Sequence, residues 1–338
     1  MPAIAIAESL TARGVSVSFA GSPERIEGRL VPQAGYELDA LRTAGFPRRP
    51  GPRLARAILR SLGAPFVARR ILGRRRPDVV VGAGGYTGGP MVLAAWTRRI
   101  PAVTTEADAH LGLANRLAVP FARRVFLSYP IAGRDGPRYA VVGRPIPARS
   151  RAVVSREDGR ARFGLPADGP VVLVAGGSQG ARALNEAAVA AFGEAGPAVL
   201  HLCGERDHDA LAGRVSRPGY RLVAFTDEFG AALAAADVVV SRAGGAVWEI
   251  AAAGRPAILV PYPHATADHQ TANARHFAAG GGAVLVPEPE LDLGRQVGEL
   301  LVDPERLARM GEAMRGLARP DAADVVAEEL IRLAAARG

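Results

Sequence analysis

The 338-residue chain contains no lysine: all 42 of its basic residues are arginine. Schiff-base chemistry on a lysine is therefore excluded. A single cysteine, Cys203, rules out an internal disulfide and a thiolate metal cluster, and fits a reducing compartment. Aromatic residues are only 5% of the chain and no nucleic-acid motif appears, so nucleic acid is not an expected partner. No run of about 18 uncharged apolar residues occurs, which argues against a membrane-spanning helix. The first residues, MPAIAIAESLTARG, carry Glu8 and no basic leader, so no signal peptide is expected. No HExxH-type spacing is present, and neither a metal nor another cofactor is expected.

What the chain does have is a hydrophobic content of 49% and a charged content of 22%, the composition of a soluble globular protein with one or two domains. Its charge is uneven. Residues 1–150 hold 23 Arg against 9 acids, and residues 151–338 hold 19 Arg against 24. Residues 40–77 include eleven Arg and no acid. Within them, PFVARRILGRRRP sets Phe66, Val67, Ile71 and Leu72 among Arg69, Arg70, Arg74, Arg75 and Arg76. Such a pattern suits an anionic membrane surface; a solvated helix face is the simpler alternative.

Strand and helix patterns alternate throughout, the signature of an α/β fold with parallel sheets. Strands are expected near 15–20, 79–81, 102–105, 125–127 and 139–142, then 171–175, 198–202, 221–224, 238–241, 257–260 and 283–286. Helices are expected near 4–13, 54–62, 90–98 and 111–117, then over 181–192, 246–253 and most of the tail from 293. Two prolines, several Arg and the change of charge sign mark a linker near 146–157. The expected domains are 1–147, 157–320 and a C-terminal helix over 321–338 that packs back on the first. Ligands of such sheets bind beyond the C-terminal ends of the strands, here in a cleft between the two domains.

Four loops carry candidate chemistry. VVLVAGGSQGARALN (171–185) reads as a buried strand, a glycine-rich turn and a helix. Gly176, Gly177 and Gly180 allow a tight turn, and Ser178 stands where backbone N–H groups meet an anion, so a phosphorylated ligand is expected there. A turn with glycines kept for packing is the alternative. VVVGAGGYTGGPMVLAAW (79–96) repeats the pattern and could hold a second phosphate. TTEADAHLGLANR (104–116) puts Glu106, Asp108 and His110 at a strand end, where carboxylates act as a general base or orient hydroxyls, or where Asp108 simply caps a helix. In the segment 238–288, Glu249 follows an Arg242–Gly245 turn and can accept hydrogen bonds from a ribose diol. Further along the same segment, His264, Asp268, His269, Gln270 and Asn273 crowd together, a set suited to a hydroxyl-rich ligand.

Taken together, GGSQGARALN, GGYTGGP, LGLANR, FTDE and SRAGG…WEIAAAGRPAILVPYPHATADHQTANA resemble the MurG family along nearly the whole chain. That resemblance implies a GT-B glycosyltransferase with two Rossmann-like domains facing a central cleft. It implies inverting transfer of N-acetylglucosamine from UDP-GlcNAc to undecaprenyl-pyrophosphoryl-N-acetylmuramyl-pentapeptide (lipid I) in peptidoglycan synthesis, peripherally at the cytoplasmic face of the cell membrane. By position, Gly177, Ser178 and Gln179 would meet the donor diphosphate and Phe225 and Thr226 the uracil. Arg242 would lie near the nucleotide, Glu249 at the ribose, and His269 and Gln270 at the GlcNAc hydroxyls. Gly84, Gly85, Tyr86 and Asn115 would face the acceptor. Phe66, Arg69, Arg70, Ile71 and Arg74 would dock on the anionic membrane.

The chain departs from the family pattern in four places. The family opens with a strand and a GGTGGHxxPA loop carrying a candidate catalytic His. This sequence starts at Met1-Pro2-Ala3, where that motif ends, and a start codon further upstream is the expected explanation. The usual EQN reads Glu106-Ala107-Asp108. The Arg242–Glu249 turn is one residue shorter and lacks its Thr. Pro147 stands where Arg is common, with Arg149 close by. Without the family His, Asp108 and then Glu106 are the expected catalytic bases. A GT-B enzyme with another lipid or natural-product acceptor, and a non-catalytic UDP-sugar-binding homologue, are the alternatives.

Overall fold

A computed structural model of the chain describes residues 1–42, 52–151, 153–177 and 181–337, with backbone alone over 52–62. The chain divides into two compact units, Met1–Pro147 with Asp321–Gly338, and Ala148–Pro320.

The first unit starts with α1 (Pro2–Thr11), where Pro2 occupies a first-turn position whose N–H has no helical partner. β1 (Phe19–Gly21), α2 (Ile26–Gln33) and β2 (Leu38–Ala40) follow. Then come α3 (Pro52–Arg75), β3 (Val80–Gly82), α4 (Gly85–Thr97), β4 (Ala102–Glu106), α5 (Leu113–Ala118), β5 (Arg124–Leu127) and β6 (Tyr139–Val141). The strands are all parallel and lie in two sheets, β1–β2 and β3–β4–β5–β6. Every residue of β4 is buried, as expected of a strand covered on both faces. The expected strand over 15–20 shortens to β1; Val15 and Val17 still pack on the core without joining a ladder.

Helix α3 is far longer than the segment expected near 54–62. Ala64, Ala68, Ile71 and Leu72 recur at helical spacing and are buried against Val80, Val92 and Ala95. Arg74 and Arg75 in its last turn pair with Asp39 at 2.5 and 2.8 Å, anchoring the helix end to β2.

The second unit alternates α6 (Arg156–Arg162), β7 (Val171–Ala175), α7 (Arg182–Phe192), β8 (Ala198–Leu202), α8 (Glu205–Ala212), β9 (Tyr220–Val223), α9 (Phe229–Ala235) and β10 (Val238–Ser241). It continues with α10 (Val247–Ala252), β11 (Ala257–Leu259), α11 (His269–Ala279), β12 (Ala283–Leu285), α12 (Leu293–Leu301) and α13 (Pro304–Leu317). The six parallel strands run in the order β12-β11-β10-β7-β8-β9. Their order reverses between β7 and β10, so the crevice beyond those two strand ends is the topological switch point where such sheets bind ligands. Val172, Val174, Val238 and Val240 are fully buried in its core with Leu184, Ala188 and Ile258.

Side chains close the ends of several helices. Asp292 accepts from Arg295 N at 3.2 Å, and Asp303 from Arg306 N at 2.8 Å with Pro304 next to it. Arg160 is buried, yet its guanidinium is fully occupied. It donates to the carbonyls of Ala235, Pro166, Ala167 and Gly169 and to the Asp237 carboxylate at 2.8 Å.

The last helix, α14 (Ala322–Ala335), belongs to the first unit. Val326, Ala327 and Leu330 bury against Ile6, Leu10, Val103 and Phe126. Ser9 Oγ and Arg13 Nη1 both donate to Asp324, at 2.7 and 2.9 Å, and Arg124 pairs with Glu329 at 3.2 Å.

Candidate active site

In the second unit the candidate donor site gathers at the switch point. A Cβ on Gly176 would lie 2.6 Å from the Cβ of Ala181, so only glycine lets the turn fold back on the start of α7. Gly177 follows with φ of +91°, a conformation that favours glycine. Ser178 and Gln179 lie outside the described residues. Among the described residues no side chain caps α7, and its first turn contains no acid.

Ser241 ends β10 and donates to the Ala175 carbonyl at 2.9 Å, binding the two switch-point strand ends together. Arg242 comes next. It is buried, and its guanidinium donates to the carbonyls of Val260 and Pro261 at 3.3 and 3.2 Å, and to Glu288. The same group stands 5.6 Å from the Tyr262 ring centroid. Arg242 therefore fixes the loop after β11, and its charge is already met by a carboxylate. Asn273 supports the turn from below: it is fully buried and donates to the Ala243 carbonyl at 3.0 Å. Glu249 sits half-buried in the first turn of α10.

The loop Arg242 holds leads into His269 and Gln270. Gln270 Oε1 accepts from Tyr262 N at 2.9 Å, and its Nε2 lies beside Gly244. His269 Nδ1 is 2.8 Å from the Thr266 carbonyl, which can only accept. Nδ1 therefore donates, and in the uncharged ring Nε2 is the nitrogen that can accept. Ala267 and Asp268, just before them, both adopt left-handed backbone at φ of 51° and 50°. Phe225 is exposed after β9, and Thr226 Oγ1 accepts from Glu228 N at 3.0 Å.

In the first unit, Glu106 closes β4 and is buried. Its carboxylate accepts from the N–H groups of Ala107 at 2.9 Å, Asp108 at 3.3 Å and Gly112 at 2.9 Å, and from Asn115 Nδ2 at 2.8 Å. With two donors on each oxygen, the Glu106 carboxylate braces the loop that follows β4. Asn115 is buried, and its Nδ2 also donates to the Thr105 carbonyl at 3.0 Å. Asp108 is half-buried on the loop that Glu106 staples, and Arg144 Nη1 donates to the neighbouring Ala107 carbonyl at 3.3 Å.

Helix α4 begins at Gly85 rather than near Pro90, so the glycine-rich stretch forms its first turns. Gly84 and Gly85 adopt φ of +76° and +66°. Tyr86 is exposed, and the Arg25 guanidinium carbon lies 5.4 Å from its ring centroid.

Among the expected membrane residues, Phe66 is 77% exposed and Arg70 is exposed, but Ile71 is a core residue with 6% exposure. Arg69 donates to Thr97 Oγ1 at 2.7 Å, and Arg74 is neutralised by Asp39. Ile71 turns inward because it continues the buried stripe of Ala64 and Ala68. Sequence reading missed the apolar neighbours on other elements: Trp96, Leu113 and Leu117 are all exposed, and Trp96 packs on Phe121 at 5.1 Å between centroids. No described helix is long and apolar enough to cross a membrane.

Against known proteins, the description Glycosyltransferase family 28 N-terminal domain matches residues 1–127 and Glycosyltransferase family 28 C-terminal domain matches residues 171–326. A curated relative from Halorhodospira halophila is 43% identical, covering 96% of this chain and 92% of its own. One from Rubrobacter xylanophilus is 42% identical, covering 96% and 98%. Both are named UDP-N-acetylglucosamine--N-acetylmuramyl-(pentapeptide) pyrophosphoryl-undecaprenol N-acetylglucosamine transferase. The crystal structure of Acinetobacter baumannii MurG superposes with a TM-score of 0.76 at 28% identity, over 98% of this chain and 95% of that one. The calicheamicin glycosyltransferase CalG4, at 20% identity and a TM-score of 0.69 over 98% and 95%, shares the fold alone. With two Rossmann-like parallel-sheet domains of the GT-B class and relatives matched along nearly their whole length, this chain belongs to the MurG family of glycosyltransferases.

Proposed function

We propose that the chain transfers GlcNAc from UDP-GlcNAc to the 4-hydroxyl of the muramyl sugar in lipid I, with inversion at the anomeric carbon. The observation that carries this reading is the match to named transferases at 43% identity over 96% of the chain. The second unit holds the donor. Its diphosphate meets the turn at Gly177 and the N-terminus of α7, whose free amides and dipole stabilise the departing UDP. Phe225 and Thr226 line the base and Glu249 accepts from the ribose hydroxyls. His269 Nε2 and the Gln270 amide face the GlcNAc hydroxyls.

The first unit holds the acceptor at Gly84, Gly85 and Tyr86. With Glu106 locked as a staple, Asp108 is the base that removes the acceptor proton as the hydroxyl attacks from the face opposite UDP. The loop 106–108 reads Glu-Ala-Asp where the family has EQN, so the acceptor is varied in the test as well. The enzyme works peripherally on the cytoplasmic leaflet. Phe66, Val67, Trp96, Leu113 and Leu117 enter the interface, and Arg69, Arg70, Arg98 and Arg99 meet anionic headgroups.

The test is transfer of label from UDP-GlcNAc to lipid I, with UDP-glucose and with alternative lipid-linked sugars as controls. A labelled lipid product with lipid I and UDP-GlcNAc is expected. Retained UDP binding with no labelled product from any acceptor would overturn the reading in favour of a binding protein.

A further inference from the structure

We infer that Arg25 is an acceptor-binding residue, a cation that the Tyr86 ring holds ready for the lipid-linked diphosphate. The inference rests on the reading of Gly84–Tyr86 as the acceptor site and adds to it a residue from a different part of the chain. Arg25 stands between β1 and α2 and is exposed. Its guanidinium carbon lies 5.4 Å from the Tyr86 ring centroid, within range of a cation–π contact. That contact orients the side chain over the first turn of α4.

The surroundings leave the charge of Arg25 unspent. Its nearest acids in sequence are engaged elsewhere: Glu24 pairs with Arg42 at 2.6 Å, and Glu27 accepts from Ser22 N at 3.2 Å. Among the described residues Arg25 forms no ion pair. Arg74 and Arg75, by contrast, share Asp39. The first turn of α4 also contains no acid. A guanidinium brought to the positive end of a 13-residue helix is electrostatically unfavourable on its own. A bound dianion reverses that sign, accepting from the guanidinium and from the helix amides together. The loop that carries Arg25 is built to keep it in place. Besides the Glu27 contact, Ser22 Oγ donates to the Leu41 carbonyl at 3.2 Å, and a Cβ on Gly21 would strike Glu27 at 2.9 Å.

The same geometry explains why an aromatic residue follows the two glycines. Tyr86 supplies a flat, neutral platform that positions a cation without cancelling it, which a carboxylate would do. Arg25 and Tyr86 are therefore expected to act as one unit toward the acceptor and to be silent toward the donor.

Calorimetric titration of the full chain with a short-prenyl analogue of lipid I tests this, with UDP as the donor-side control. Arg25→Ala is expected to weaken the acceptor analogue at least tenfold and leave UDP unchanged, and Arg25→Lys to recover part of the loss. Tyr86→Leu is expected to weaken it several-fold, with little further loss when combined with Arg25→Ala. Unchanged acceptor affinity in Arg25→Ala, while Gly85→Val weakens it, overturns the role of Arg25 and leaves the acceptor site standing. Unchanged affinity in both variants overturns the acceptor site itself, and the role of Arg25 with it. Thermal melts equal to the parent for the exposed Arg25 variants exclude unfolding as the cause.

Discussion

Asn115 reaches back across the loop that follows β4 and places its amide 2.8 Å from the Glu106 carboxylate. One residue on a helix and one on a strand end thus hold the segment 107–112 in a single shape. Glu106→Ala leaves backbone N–H groups and the Asn115 amide without their acceptor in a buried place. It is expected to cost about 3 kcal/mol of stability. Asp108→Asn is expected to leave stability within about 0.5 kcal/mol and to abolish most transfer. Denaturant melts beside turnover assays separate the staple from the base. Equal melts for the two variants would remove the distinction.

His201 predicts a pH dependence for the second unit. Its Nε2 lies 3.0 Å from Asn185 Oδ1 and its Nδ1 2.8 Å from the Tyr220 hydroxyl. The Asn185 amide nitrogen is occupied by the Cys203 carbonyl and by Asp207, so Oδ1 faces the ring, Nε2 carries the proton, and Nδ1 accepts from Tyr220. Burial lowers the His201 pKa from 6.5 to about 4, and the same burial raises that of Tyr220. The unfolded chain therefore binds the extra proton first. The neutral imidazole contributes its full share above pH 6.5, and stability falls as pH drops from 6.5 toward 4, by up to about 3 kcal/mol. Urea melts of the parent and of His201→Gln at pH 7.5 and pH 5 check this. The variant should lose the slope.

Arg242 is expected to behave as a structural cation. Arg242→Ala strands Glu288 and two carbonyls, and should cost about 2–3 kcal/mol. Because the loop it holds carries Gln270 and His269, affinity for UDP-GlcNAc should fall more than affinity for UDP. A parallel loss of both would assign Arg242 to the nucleotide instead.

The left-handed pair Ala267–Asp268 offers the opposite experiment. Ala267→Gly removes the side-chain penalty of that backbone and should raise stability by about 1 kcal/mol. The sugar-dependent part of donor affinity should drop with it, since glycine lets the loop sample other shapes. Melting midpoints and paired UDP and UDP-GlcNAc titrations report both quantities.

For the membrane surface, Phe66→Glu and Leu117→Glu should each weaken binding to anionic vesicles several-fold without changing the melt. Ile71→Glu should unfold the first unit, because that side chain is core. Sedimentation with vesicles at low and high salt measures the first effect, and the thermal melt the second.

Much of the fold is legible residue by residue. β7, β8 and β10 span the expected positions because each is a short, largely apolar run with a buried centre. The length of α3 was not legible: its later turns alternate Arg with small and apolar residues, and the buried stripe of Ala64, Ala68 and Ile71 is distinguishable only once the helix has a neighbour. α4 hides its start because glycine is a poor sign of a helix. β2 and α2 were missed, being short and weakly patterned. At the site, the motifs located the loops, but the partners of the motif residues came from elsewhere. Glu288 lies 46 positions from Arg242, and no local spacing announces such a pair. Glu106 and Asn115 stand within one motif. Even so, the motif alone does not show that four donors converge on the Glu106 carboxylate.

The return of α14 to the first unit has a consequence for biosynthesis. Ile6 and Leu10 find their partners Val326 and Leu330 only at the far end of the chain. The second unit, continuous from Ala148 to Pro320, is complete before those partners have been synthesised. A growing chain thus finishes the second unit first, and the part of α1 that packs on α14 stays uncovered until α14 has left the ribosome. Loss of α14 would then damage the unit that contains α1.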